Sequence, residues 1–253
     1  MYLYNMKDGY YIVDTGNYKF DMSVVKYGNN YSIQYGDAMS REGPCVELSY
    51  NTNDDYIELQ SLAYYPRCAN NRDLEKGDGT REMIMSILQI CIDAFPDVKR
   101  VLLKDVSDFH CNNKRVLLSY YSLLLYGQTW YERHFSARPL HKEDGKTLDN
   151  FRKLLLTKPK RGVFSFYEHA DCTNWHEYFQ NYKQAHGCEV FHEYQKEFEK
   201  VAQIKLFYSS WYIRARDVKN YNISYSIKNS KTPKQFGGGM YARTQALTEQ
   251  DAI

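Results

Sequence analysis

The sequence lacks a strong excess of charge of either sign, and it lacks any long apolar run. Its 33 lysines and arginines are nearly balanced by 31 aspartates and glutamates, so the formal net charge is +2. Binding to the phosphate backbone of a nucleic acid needs a concentrated basic face, and we therefore expect no nucleic-acid partner. No apolar run approaches the length of a membrane span, so we expect none.

The cysteines form no C-x-x-C pair, and the N-terminus has no signal-peptide pattern. The six cysteines are dispersed along the chain, which favours a reducing compartment over a disulfide framework. Residues 1–9 lack the charged start and the unbroken apolar core of a signal peptide. We therefore predict free thiols and a cytoplasmic location.

Several signatures of common sites are also absent. The sequence contains no Gly-x-Ser-x-Gly elbow and no Gly-x-x-x-x-Gly-Lys-Ser/Thr phosphate loop. A group of sulfur and imidazole side chains does occur in the second half of the chain: Cys172, His176, His186, Cys188 and His192. Their spacing fits no common zinc pattern, so we predict no metal site.

Tyrosine is the residue type in excess, with 25 copies. A tyrosine buries a large apolar ring and keeps a polar tip, which suits a binding surface or a protein interface. The abundance of Asn, Lys, Ile and Tyr resembles the composition of proteins from large DNA viruses. That resemblance implies the virion as a second location for the protein.

The first quarter of the chain has the pattern of consecutive β-strands. Polar turn-formers such as Gly28-Asn29-Asn30 separate short apolar runs. The predicted strands cover residues 10–13, 18–27, 31–35, 45–50 and 57–64. Strands joined by such short turns form hairpins, which predicts an antiparallel sheet at this end of the chain.

The periodicity then changes to that of helices. Apolar residues recur at helical spacing from Met83 to Phe95, and Pro96 follows at the expected stop. Residues 98–103 suit a central strand parallel to the strand at 57–64, because the helix supplies the crossover. A second helix is predicted over 117–126, with Gly127 at its end. The sheet is therefore predicted to be mixed.

The rest of the chain is predicted to be mainly helical. We predict a strand over 130–135, a helix over 147–156, a short strand over 163–167, helices around Trp175 and Phe191, and a returning strand over 222–227. Residues 231–239 hold no regular structure by their own propensities. The predicted organisation is a core over 1–135, a mainly helical addition over 136–230 and a tail over 231–253.

Two motifs resemble those of a known family. The segment Leu74-Glu75-Lys76-Gly77-Asp78-Gly79 matches both glycines, but not the first position, of the loop Gln/Arg-x-x-Gly-x-Gly/Ala. The segment Leu125-Tyr126-Gly127-Gln128-Thr129-Trp130-Tyr131 matches the first two residues of Leu-Tyr-x-x-x-Gly-Phe. These motifs, and the order of elements over residues 9–135, resemble the GNAT family of acetyl-coenzyme A dependent N-acyltransferases. The resemblance implies an α/β (α+β) fold with a GNAT-like mixed β-sheet flanked by helices, here extended by the helical addition and the C-terminal tail.

The resemblance also implies a site for acetyl-coenzyme A and an amine acceptor. Glu58 would remove a proton from the amine as general base, and Tyr126 would protonate the departing thiolate. The residues implied around the cofactor are Leu62 and Tyr64 at the pantetheine arm, Lys76, Gly77, Asp78, Gly79 and Thr80 at the pyrophosphate, and Ser119. A glycine-rich turn before a helix suits this use, because its backbone N–H groups and the helix dipole attract anions.

Each implied residue also has a structural interpretation. The glycines fit a tight turn with Asp78 as the helix N-cap, and Glu75 and Asp78 place two negative charges beside the expected pyrophosphate. Glu58 fits the solvent side of a strand, and Tyr126 fits a packed helical tyrosine. The alternative function is a non-catalytic structural or interaction protein, such as a virion component, that binds a protein partner through its tail or a tyrosine-rich surface.

Overall fold

The computed structural model describes residues 6–36, 43–105, 108–111, 114–158, 172–186, 210–218, 223–227 and 247–248. The chain divides into two compact units. Unit 1 comprises Met1–Lys104 and Tyr212–Thr244, and unit 2 comprises Asp105–Trp211 and Gln245–Ile253. The chain thus changes unit after Lys104, whereas the sequence predicts a core that continues to residue 135.

The described residues form a mixed α/β structure. In chain order its elements are β1 (Gly9–Asp14), β2 (Lys19–Tyr27), β3 (Asn30–Tyr35), β4 (Val46–Asn51), β5 (Tyr56–Leu62), α1 (Asp78–Ala94), β6 (Arg100–Lys104), β7 (Asp108–Cys111), β8 (Lys114–Leu117), α2 (Leu118–Tyr126), α3 (Trp130–Phe135), β9 (Arg138–Pro139), α4 (Lys142–Leu155), α5 (Trp175–His186), β10 (Ser210–Arg214), β11 (Ser224–Ile227) and β12 (Leu247–Thr248).

Unit 1 is built on a mixed sheet with the strand order β11-β1-β2-β3-β4-β5-β6-β10. Neighbours from β1 to β5 pair antiparallel, and β5 pairs with β6 in parallel. The five predicted N-terminal strands, the strand predicted over 98–103 and the mixed sheet are therefore confirmed. The strand predicted over 222–227 is confirmed as β11, which pairs antiparallel with β1.

Helix α1 supplies the crossover between β5 and β6 and packs on one face of the sheet. The Tyr35 and Ser86 hydroxyls lie 2.8 Å apart in the core, and the rings of Tyr50 and Phe95 lie 4.3 Å apart. Because Tyr50 pairs with Ile57, the side chain of Ile57 lies on this same face. Alternate residues of β5 therefore face away from α1.

Unit 2 contains most of the other helices and a small second sheet. Strands β7 and β8 form a hairpin, and β12 pairs with β7 in parallel. Between the helices, the rings of Tyr120 and Phe151 lie 6.0 Å apart in an edge-on arrangement. The helices predicted over 117–126, over 147–156 and around Trp175 are confirmed as α2, α4 and α5.

Residues 130–135 form helix α3, so the strand predicted there is wrong. A capping box begins the helix: the Glu132 N–H donates to Thr129 Oγ1 at 3.3 Å, and the Thr129 N–H donates to Glu132 Oε2 at 2.8 Å. Arg152 of α4 adds an ion pair to Glu132 at 2.6 Å. Local capping and this ion pair stabilise a helix where the aromatic composition favours a strand.

Cys45 and Cys68 form a disulfide, which contradicts the prediction of free thiols. Cys111 is disulfide-bonded too. The thiols of Cys91 and Cys172 are free and buried, and burial raises the pKa of the Cys91 thiol. The prediction of free thiols fails because it rests on the absence of paired spacings, and Cys45 and Cys68 are 23 residues apart.

Some predictions concern residues outside the described ranges. These are the strand over 163–167, the helix around Phe191 and most of the tail over 231–253. Within the described ranges, no helix combines the length and the apolar composition that crossing a membrane requires.

Candidate functional site

The glycine loop enters α1 through a left-handed residue. Gly77 has φ 75° and ψ −93° and is the N-cap of α1, so Asp78 is the first helical residue and the prediction of Asp78 as N-cap is wrong. The first helical hydrogen bond runs from the Arg81 N–H to the Gly77 carbonyl at 2.9 Å. The N–H groups of Asp78, Gly79 and Thr80 therefore have no carbonyl partner inside the helix. Gly77 has no side chain with which to cap them.

Gly79 lies in a crowded position where a Cβ atom would press on its neighbours. A Cβ atom there would lie 3.0 Å from the Tyr18 hydroxyl, 3.2 Å from Leu74 Cδ1 and 3.3 Å from Glu75 Cβ. Tyr18 itself is buried, and its hydroxyl accepts a long hydrogen bond from the Glu75 N–H at 3.4 Å. The second glycine of the motif is thus favoured by the packing of the loop against Tyr18, the residue before β2.

Replacing Gly79 with alanine should lower the free energy of unfolding by about 1–2 kcal/mol, because overpacking outweighs the gain in helix propensity. Gly145 in α4 is the matched control, since a Cβ there would meet only Pro139 Cγ, at 4.0 Å. Gly145→Ala should raise stability by up to about 1 kcal/mol. Urea unfolding of both variants measures the difference, and a stabilising Gly79→Ala would show that the loop is loosely packed.

Cations lie around the loop and its two carboxylates. Arg81 pairs with Asp78 at 3.3 Å, and the Lys76 ammonium lies 5.8 Å from the centroid of the Tyr64 ring. The guanidinium of Arg72 lies 4.4 Å from the centroid of the Tyr18 ring. Arg81 thus offsets the charge of Asp78, while Lys76 and Arg72 lie on the rings of two tyrosines whose hydroxyl groups hydrogen-bond to the loop.

Strand β5 changes its pairing next to the predicted general base. Glu58 is exposed on the face away from α1, where its Oε2 accepts a hydrogen bond from Gln60 Nε2 at 2.8 Å. Glu47 pairs with Ser61 and Leu48 with Leu59, so Gln60 is an extra residue that forms a β-bulge. The parallel ladder between β5 and β6 ends at Leu59 and Leu103.

The two residues implied for the pantetheine arm lie beyond this point. Leu62, the last residue of β5, is half-buried and pairs with Val46 of β4. The Tyr64 hydroxyl donates to the Leu74 carbonyl at 2.7 Å, which ties the chain after β5 to the glycine loop. Glu58, Leu62, Tyr64 and the loop all belong to unit 1.

Tyr126 and Ser119 belong to unit 2 and lie at opposite ends of α2. Tyr126 is half-buried, and the Arg133 guanidinium lies 3.6 Å from the centroid of its ring. Gly127 follows with φ 68° and ends the helix. Within the described residues no hydrogen bond involves the Tyr126 hydroxyl.

Two side chains of α5 contact a backbone carbonyl near the end of α2. His176 Nε2 lies 2.7 Å from the Leu125 carbonyl oxygen, and Gln180 Nε2 donates to the same oxygen at 3.0 Å. No local pattern in the sequence predicts this contact of His176 with α2. The sequence suggests only that His176 could be grouped with Cys172 as a side chain able to bind a metal. In the part of the chain that is described, no three His, Cys, Asp or Glu side chains are grouped to hold a metal ion.

Comparisons with protein-family models, with curated proteins and with solved structures give no match. A functional proposal therefore depends on the geometry and chemistry of the chain's own residues.

Proposed function

We propose that the protein is a GNAT-like N-acyltransferase that moves an acetyl group from acetyl-coenzyme A to an amine. The observation that carries the proposal is the first turn of α1, which follows a glycine with positive φ and in which the N–H groups of Asp78, Gly79 and Thr80 have no helical partners. Such a turn attracts an anion through its N–H groups and through the helix dipole. The pyrophosphate of coenzyme A is an anion of the required kind.

The strand pairing supports the same proposal. The first turn of α1 follows the carboxyl end of β5, which is one of two parallel strands, and ligands of open α/β sheets bind outside such ends. The bulge at Gln60 lies where the ladder with β6 ends, and bulges are over-represented beside active sites. Residues Ser61 and Leu62 then continue β5 in contact with β4.

Two residues of the chain, Glu58 and Tyr126, would each carry out one proton transfer of the reaction. Acetyl-coenzyme A supplies a thioester carbonyl that a neutral amine can attack. Glu58 is exposed and would accept a proton from the amine, directly or through water. Tyr126 would give its unshared hydroxyl proton to the departing thiolate.

A non-catalytic structural or interaction protein is the second candidate function. The observation that favours it is the burial of Trp130 and Tyr131, whose rings pack against each other in α3. These two residues stand where the GNAT motif Leu-Tyr-x-x-x-Gly-Phe has Gly and Phe. Disulfides are rare in reducing compartments, so the Cys45–Cys68 bond also favours a location other than the cytoplasm, such as a virion. A virion component would need no cofactor.

Binding of acetyl-coenzyme A separates the two functions. The enzyme proposal expects heat on titration and a rise in Tm, because a ligand of the native state stabilises it by mass action. S-acetylpantetheine lacks the pyrophosphate and should bind far more weakly. No response to millimolar acetyl-coenzyme A would overturn the enzyme proposal and favour the non-catalytic one.

Two cations of the loop provide a variant that tests the placement of the cofactor. Lys76→Gln/Arg81→Gln should weaken acetyl-coenzyme A binding at least about tenfold, because charge-assisted contacts to the pyrophosphate are lost. Lys142→Gln/Lys153→Gln makes the same change in net charge at exposed positions of α4. An equal loss in both double variants would show that overall charge, and not the loop, determines binding.

A further inference from the structure

Unit 1 contains a pocket at the start of β6. Val98, Lys99 and Arg100 lead into β6, and Tyr212, Arg214, Ala215 and Arg216 line the opposite wall. The Ala215 N–H donates to the Lys99 carbonyl at 2.9 Å and holds the two walls together. The pocket volume is about 470 Å³, within the range of small-molecule sites.

The strand geometry directs the lining side chains of β10 to one side. Tyr212 and Arg214 are two residues apart, so they share a face of the strand, while Ile213 between them is buried on the other face. Arg214 remains in place because its Nε and Nη2 donate to the two carboxylate oxygens of Asp217, at 2.5 and 2.9 Å. This bidentate pair fixes the guanidinium at the wall of the pocket.

Positive charge exceeds negative charge in this pocket. Its four cations are Lys99, Arg100, Arg214 and Arg216. Asp55 pairs with Arg100 at 3.1 Å and more distantly with Lys99 at 3.9 Å, and Asp217 is taken by Arg214. Within the described ranges, Arg216 is exposed and forms no ion pair.

One donor of a lining residue lacks an acceptor. The Nε of Arg100 is buried and has no hydrogen-bond partner among the described residues, although its Nη2 donates to Asp55. A buried N–H without an acceptor destabilises the folded protein. The remaining walls are the side chains of Val98, Tyr212 and Ala215, which are largely apolar.

We propose that this pocket binds a small organic anion, a phosphate or carboxylate carried on an aromatic or other apolar body. Guanidinium groups suit both anions because their planar donors match two oxygens at once, and the apolar walls match the body of the ligand. The pocket is separate from the glycine loop, because α1 begins at the loop and ends shortly before Val98. Its 17 residues span about 25 Å at the rise of an α-helix.

Phenyl phosphate is the probe for this proposal, with inorganic phosphate, benzoate and phenol as comparisons. Calorimetric titration of the full chain should show binding of phenyl phosphate, weaker binding of inorganic phosphate and none of phenol. Binding of benzoate at similar affinity would show that the site accepts carboxylates as well as phosphates. Failure of benzoate to bind, with phenyl phosphate bound, would support a site restricted to phosphates. A ligand with a Kd of about one millimolar would nearly saturate the site at about ten millimolar. If no anion gave heat of binding at that concentration, the proposal would be overturned.

Two exposed cations of the pocket can be removed with little risk to folding. Lys99→Gln/Arg216→Gln should lower the affinity for phenyl phosphate at least about tenfold. Lys142→Gln/Lys153→Gln should leave that affinity unchanged. The first variant should also leave acetyl-coenzyme A binding unchanged, which separates this pocket from the loop. Equal weakening in the two variants, or tighter binding of a hexaglutamate peptide than of phenyl phosphate, would overturn the proposal of a small-molecule site.

Discussion

Replacing Cys45 and Cys68 together with alanine should lower the free energy of unfolding by about 3 kcal/mol. The disulfide joins residues 23 apart, and a cross-link over a loop of that size removes conformational freedom mainly from the unfolded chain. Both sulfur atoms are buried, so solvent exposure does not reduce the effect. Urea unfolding of the variant and of the oxidised parent protein measures the difference.

Cys91→Ala provides the control for this prediction. Its thiol is buried in α1 and free, so the substitution removes a packed sulfur without removing a cross-link. The cost should therefore be about 1 kcal/mol, well below that of the double variant. If Cys45→Ala/Cys68→Ala lost no more stability than Cys91→Ala, the disulfide would not be present in the native protein. Alkylation of denatured, unreduced protein should also leave Cys45 and Cys68 unmodified.

The fold of unit 1 could be predicted largely from the sequence because its signals are local. Polar turns such as Asp14-Thr15-Gly16-Asn17 separate the strands, and the helical spacing from Met83 to Phe95 marks α1. The parallel pairing of β5 with β6 follows from the length of the crossover. These features depend on neighbours in sequence, and the structure reproduces them with shifts of a few residues.

The features that sequence reasoning missed depend on residues distant in sequence. Helix α3 is stabilised by an ion pair between Glu132 and the distant Arg152. The carbonyl of Leu125, near the end of α2, is contacted by His176, which lies 51 residues further along the chain. The bond between Cys45 and Cys68 likewise requires that β4 and the turn at Pro66–Cys68 be adjacent. No local spacing encodes such proximity.

The electrostatics of the candidate site could not be predicted from the sequence. The sequence places Glu75 and Asp78 at the loop and suggests repulsion of a pyrophosphate, since it cannot show where neighbouring cations lie. In the structure Arg81 reaches Asp78, and Arg72 lies on the ring of Tyr18 beside Gly79. The role of Tyr18, 61 residues before Gly79, has no signature in the sequence.

Replacing Tyr126 with phenylalanine should lower kcat for acetyl transfer by about 10²-fold or more, while the affinity for acetyl-coenzyme A remains nearly the same. Loss of a positioned general acid typically has an effect of this size, and the phenol oxygen is the only atom removed. The Tyr126 hydroxyl forms no hydrogen bond within the described part of the chain, and phenylalanine keeps the ring over which Arg133 lies. Stability should therefore change by less than about 0.5 kcal/mol.

Tyr27→Phe is the matched control, because Tyr27 is 66% exposed at the end of β2 in unit 1 and has no assigned role. Its kcat should equal that of the parent protein. Steady-state kinetics with a panel of amines, together with calorimetric binding of acetyl-coenzyme A, separate kcat from affinity. Equal turnover in Tyr126→Phe and Tyr27→Phe would remove Tyr126 from the mechanism. A parallel loss of turnover and cofactor affinity in Tyr126→Phe would instead assign its hydroxyl to binding.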